Sequence, residues 1–107
     1  MAIRVICFYQ EGCMGCEEQA PILREVERDL GIEIEEIDAV KNPEYIKEYD
    51  LRVTPTTLIL EDGKIRERMV GLVHREELEA AIRRYLPAPR MRVVGVTLRS
   101  YSLIYSG

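Results

Sequence analysis

Apolar residues along this chain recur with two different periods, and the alternation between them divides the sequence into elements. From Ile3 to Phe8, IRVICF is a short apolar run with branched side chains and reads as a buried strand. From Cys16 onward, Ile22, Leu23, Val26 and Leu30 recur at helical spacing, while Arg24, Glu25, Glu27, Arg28 and Asp29 face outward. Gly31 stands where a glycine ends a helix. Pro21 falls about a turn past the helix start, where a missing N–H and a bulky ring predict a kink. The segment IEIEEID then alternates apolar and acidic side chains, as a strand with one wet face does. Asn42 to Tyr49 reads as a short helix beginning near Pro43, a residue tolerated at the first helical position. In LRVTPTTLIL, Pro55 directly precedes an apolar strand. EDGK is a hairpin signal, and IRERMV is the return strand. HREELEAAIRRYL closes the series as a helix with Leu78, Ile82, Tyr85 and Leu86 on one stripe.

The order is β-α-β-α-β-β-α. Strands alternating with helices imply right-handed crossovers and a parallel portion of sheet, and the final hairpin adds antiparallel strands. The expected class is α/β with a central mixed sheet, occupying residues 1–86. PAPR, at 87 to 90, reads as a linker. The remainder of 87–107 is again strand-prone, being rich in valine, threonine, tyrosine and leucine. This extension is expected to add a strand at a sheet edge, or to exchange with a second copy and give a homodimer.

Composition changes the picture mainly by exclusion. A chain of 107 residues builds one core, and 47% hydrophobic with 32% charged residues is neither disordered nor membrane-spanning in character. The formal net charge of −4 lacks the basic footprint of a nucleic-acid binder. MAIRVICFYQ has no basic leader, apolar stretch and small-residue cleavage site, so a reducing cytoplasm is the expected compartment. There, a lone CxxC more often binds metal or exchanges electrons than staples a fold.

Cys13 and Cys16 form such a pair at a strand-to-helix junction. Cys13, just before the helix, would meet unpaired backbone N–H groups and the positive end of the helix dipole, which favour its thiolate. Cys16, one turn in, lies close enough to resolve a mixed disulfide. Cys13 is therefore expected exposed and attacking, and Cys16 buried and resolving. Zinc would want four ligands, and the chain offers only Cys7, Cys13, Cys16 and the distant His74, so no metal is expected within one chain, a site shared between two chains being the alternative; dithiol exchange calls for no organic cofactor. Met14, between the cysteines, would contact substrate or simply be the loop residue that fits.

With CMGCEEQAPIL read together with IDAVKNPEYIKEYDLRVTPTTLILEDGKIRERMVG, the chain resembles the thioredoxin family across roughly residues 3 to 86. The resemblance implies a thioredoxin-like fold, a cis bond before Pro55, and a docking groove in which the Thr54 backbone pairs with an extended substrate segment. Gly71 matches the family glycine that lets the substrate come close. It also implies protein disulfides as substrates and an external thioredoxin-reductase-like electron donor.

Departures accompany the match. The family's buried aspartate, six residues before the first cysteine, is Cys7 here. Its tryptophan is Gly12, and the dipeptide between the cysteines is Met14-Gly15. Cys7 reads as a small buried core residue. Glu11, Glu17 and Glu18 oppose thiolate formation by like charge, which points to a reducing couple. The outline is glutaredoxin-sized, so a glutathione-dependent reductase and a non-catalytic binding module are the competing readings. The sequence RMVGLVHREEL lacks the glycine pair with which glutaredoxins hold glutathione.

Overall fold

A computed structural model of the protein describes residues 3–87. Of the expected 87–107 extension, all but Pro87 therefore lies outside the described residues. The elements are β1 (Ile3–Tyr9), α1 (Met14–Leu30), β2 (Ile34–Asp38), α2 (Glu44–Glu48), β3 (Thr56–Glu61), β4 (Lys64–Val70) and α3 (Arg75–Arg83). Their order is the expected one. The strands form one mixed sheet in the order β2-β1-β3-β4, with β1 and β2 parallel and the other two pairs antiparallel.

Strand alternation divides the interior into two cores. Val5, Cys7 and Ile59 point to one face, where Leu23 and Val26 of α1 and Leu78, Ala81 and Ile82 of α3 cover them. Ile6, Phe8, Leu58 and Leu60 point to the other face, where Tyr45 and Tyr49 pack against them. The Phe8 ring is 5.6 and 5.7 Å from those two tyrosine rings, so a five-residue helix with no fully buried residue still closes that face. Burying the central strands on both faces explains why β1 and β3 read as continuous apolar runs rather than alternating ones.

The boundaries are tighter than the periodicity implied. The strand read from Ile32 begins at Ile34, because the Ile32 N–H closes the end of α1 onto the Glu27 carbonyl. The Glu27 carboxylate turns inward to accept the Ile34 N–H at 2.8 Å, so this residue is not simply an outward charge. Helix α1 runs on through Pro21. Pro43 is the N-cap of α2 rather than its first helical residue. The hairpin turn is Asp62-Gly63, both at positive φ (53° and 80°), the combination a tight two-residue turn demands. A register shift at Ile59/Leu60 follows in the ladder. Tyr85 and Leu86 lie beyond the end of α3 but still pack on the core.

Candidate active site

At the carboxyl end of β1 the chain turns into α1 through Gly12, whose φ of +78° is a conformation that a side chain would strain. That turn is a local reason for glycine where the family has tryptophan. Cys13 follows as the N-cap of α1, with extended backbone. Its sulfur accepts the Cys16 N–H at 3.1 Å, filling the role that a serine or aspartate oxygen usually fills at a helix start. Cys13 and Cys16 form a disulfide with Cα atoms 5.2 Å apart. Cys16 is buried. Cys13 is half-buried, short of the full exposure expected, because the segment before β3 covers one side of it.

That segment is Thr54–Pro55, and the peptide bond between them is cis. The Thr54 carbonyl oxygen lies 3.5 Å from Cys13 Sγ, a contact in which a reduced thiol can donate. The Thr54 hydroxyl donates toward the same sulfur across 3.6 Å. Gly71 anchors the segment from the end of β4, donating its N–H to the Pro55 carbonyl at 2.8 Å with φ at +82°. Gly15 packs beneath the ring: a Cβ built there would come within 3.2 Å of Pro55 Cδ. Cys13, Cys16, Thr54, Pro55 and Gly71, far apart in sequence, thus meet at one end of the sheet. Met14 stands on the rim, 82% exposed.

Behind Cys16, a cleft of about 370 Å³ is lined by Cys7, Tyr9, Glu11, Glu17 and Glu36, among others. Cys7 is a buried free thiol, as expected of a core residue. Burial pushes it up to about 11, the nearby Glu36 carboxylate adds in the same direction, and the Thr57 hydroxyl opposes them. Cys7 is therefore a neutral thiol in the place where the family has an acid. His74 is the exposed N-cap residue of α3 and makes no side-chain capping bond.

Three contributors were not singled out from the sequence. The Thr54 hydroxyl and the close approach of Gly15 to Pro55 are properties of the assembled site. Gln19 is different. It is 1% exposed and uses both ends of its amide, donating to the Val73 carbonyl and accepting the Val73 N–H, each at 2.9 Å. This clamp ties α1 to the segment just after Gly71. Its signal was present: with Cys16, Leu23 and Val26 it occupies the buried stripe of α1, and a polar residue on such a stripe needs a partner.

A half-buried sulfur capping a helix, joined to a second sulfur one turn later and flanked by a cis-proline segment, is an arrangement for thiol–disulfide exchange. The thioredoxin family profile matches residues 2–84, and the chain belongs to the thioredoxin family. It is 32% identical to a thioredoxin of Bacillus subtilis over 81 residues, 74% of this chain and 78% of that one. Among solved structures it is similar to thioredoxin 1 from the thermophilic eubacterium Thermosipho africanus, with 26% identity, TM-score 0.68, and 77% and 92% of the two chains covered. It is also similar to the Fasciola hepatica thioredoxin, with 25% identity, TM-score 0.72, and 78% and 81% covered. The protein is a thiol–disulfide oxidoreductase with a CxxC pair. Family membership implies protein disulfides as substrates and a reductase as electron donor.

Proposed function

We propose that the protein reduces protein disulfides in a reducing cytoplasm, with Cys13 as nucleophile and Cys16 as resolving thiol. The Cys13 thiolate attacks one sulfur of a partner disulfide. A Cys13–partner S–S bond forms, and the partner's other sulfur leaves as a thiolate and takes a proton. Cys16, having given up its proton, then attacks Cys13 Sγ. The internal disulfide closes, and the partner's first sulfur is released. Two electrons pass to the partner, and an external reductase restores the dithiol. The observation that carries this reading is the N-cap position of the Cys13 sulfur, which receives the Cys16 N–H at 3.1 Å and the Thr54 hydroxyl at 3.6 Å. Once the disulfide is reduced, both donors would stabilise negative charge on that sulfur.

In this reading Thr54, Pro55 and Gly71 form the edge against which the partner segment lies, and Met14 covers it. The half-exposed Thr54 and the exposed Met14 support it. Insulin reduction with dithiothreitol as electron source tests the proposal. Wild type should turn over, while Cys13→Ser and Cys16→Ser should not. Cys16→Ser should also accumulate a mixed disulfide through Cys13. Turnover retained by Cys13→Ser would overturn the assignment.

A further inference from the structure

The surface around Cys13 is divided by charge. On one side lies the cleft behind Cys16, lined by Glu11, Glu17 and Glu36 among others; Arg24 pairs with Glu36, so the acidic character of this side rests on Glu11 and Glu17. On the other side, beyond Thr54, a notch of about 170 Å³ is lined by Asp50, Arg52, Val53, Thr56, Arg68 and Val70. Of its two arginines, Arg52 is paired with Asp50 at the open rim and Arg68 is held by backbone carbonyl oxygens. Arg52 is paired with Asp50 through two hydrogen bonds, at 3.2 and 3.3 Å, and the two side chains are 78% and 71% exposed. Such an open pair is weak and readily exchanged. Arg68 donates to the Tyr49 and Asp50 carbonyl oxygens at 2.8 and 3.5 Å. Among the described residues no carboxylate pairs with it. Val53 and Val70, 47% and 61% exposed, form the apolar walls.

The notch is also fixed in relation to the sulfur. Val53 immediately precedes Thr54, and its carbonyl accepts the Thr56 hydroxyl at 2.7 Å. Val70 immediately precedes Gly71, whose N–H holds the Pro55 carbonyl. A segment crossing Thr54–Pro55 to reach Cys13 therefore passes the two valines and two arginines on one flank and the glutamates on the other.

We propose that the Arg52–Arg68 notch is a subsite for an acidic side chain of the partner protein, beside its reducible cysteine. The partner is a segment with apolar residues next to that cysteine, an acid on the notch side, and no acid on the α1 side, where Glu11 and Glu17 repel it. The site thus reads the order of charges along a partner segment, not merely its net charge. This rests on the exchange reaction assigned to Cys13 and narrows its substrates.

The test uses two peptides of identical composition, each a mixed disulfide with thionitrobenzoate on one cysteine between apolar residues. One carries Glu before the cysteine and Lys after it; the other has the reverse order. A third has Gln at both places. Stopped-flow reduction by the reduced protein should favour one charge order by about fivefold at low salt, and the ratio should fall towards one near 1 M salt, where exposed charges are screened. Arg52→Gln, which removes only an exposed ion pair, should shrink the ratio, and Arg52→Glu should reverse it. Equal rates for both orders, or an unchanged ratio in Arg52→Gln, would overturn the proposal. If the Gln peptide is still reduced in that case, exchange at Cys13 stands alone. If no peptide is reduced, the exchange reading falls and this inference falls with it.

Discussion

Thr54 meets the Cys13 sulfur twice, with its hydroxyl at 3.6 Å and its carbonyl oxygen at 3.5 Å. The two contacts act in opposite senses: the hydroxyl donor favours the thiolate, whereas the carbonyl oxygen favours the protonated thiol. Thr54→Val keeps the shape and the backbone carbonyl and deletes only the donor. It should slow alkylation of reduced Cys13 at neutral pH by roughly three- to tenfold while leaving the melting temperature nearly unchanged. An unaltered alkylation rate would mean that the hydroxyl has no effect on the nucleophile.

Gly15 is held to its size by Pro55. A methyl group at 3.2 Å from Pro55 Cδ must displace a ring whose carbonyl is tied to Gly71. Gly15→Ala should cost about 1 kcal/mol in urea unfolding and lower the rate of insulin reduction, because the proposed docking edge moves with the ring.

Gln19 clamps both backbone groups of Val73. Gln19→Leu preserves approximate volume but leaves a buried N–H and C=O unpaired, so it should destabilise the protein by about 2 to 3 kcal/mol. Equilibrium unfolding measures it directly.

Cys7 gives the fold an alkaline weakness. Burial raises its folded value to about 11 from 9.0, so the unfolded chain releases this proton first as pH rises. Its contribution is fully present below pH 9.0 and is lost as pH rises towards about 11, some 2 kcal/mol across that window. Tyr49, raised chiefly by burial, and Tyr85, raised chiefly by its bond to Glu67, act in the same direction. Cys7→Ala should therefore flatten the alkaline decline without abolishing it. Stability measured at steps from pH 8 to 11 tests this.

The readability of this chain followed the range of its interactions. The hairpin at Asp62-Gly63 and the end of α1 at Gly31 rest on local backbone chemistry and were legible. So was the place of the CxxC, because a strand-like run stops and a helical stripe starts around it. The resemblance carried the pairing of Pro55 with the cysteines across forty residues, which no local pattern contains. The Gln19–Val73 clamp spans 54 positions, and the grouping of Arg52 with Arg68 arises only when β4 pairs with β3. Register and side-chain direction decide such contacts. Boundary errors had a similar source: Ile32 alternates like a strand residue, but its N–H is taken by the preceding helix.

The most direct measurement is competition among the three thiols. The fully reduced protein, treated with less than one equivalent of iodoacetamide at neutral pH and analysed by peptide mass spectrometry, should carry the label on Cys13. The account requires Cys13 to outpace Cys16 by about tenfold or more, with Cys7 untouched until the chain unfolds. Label appearing first on Cys16 or Cys7, or a Cys13 rate no greater than in denaturant, would contradict it.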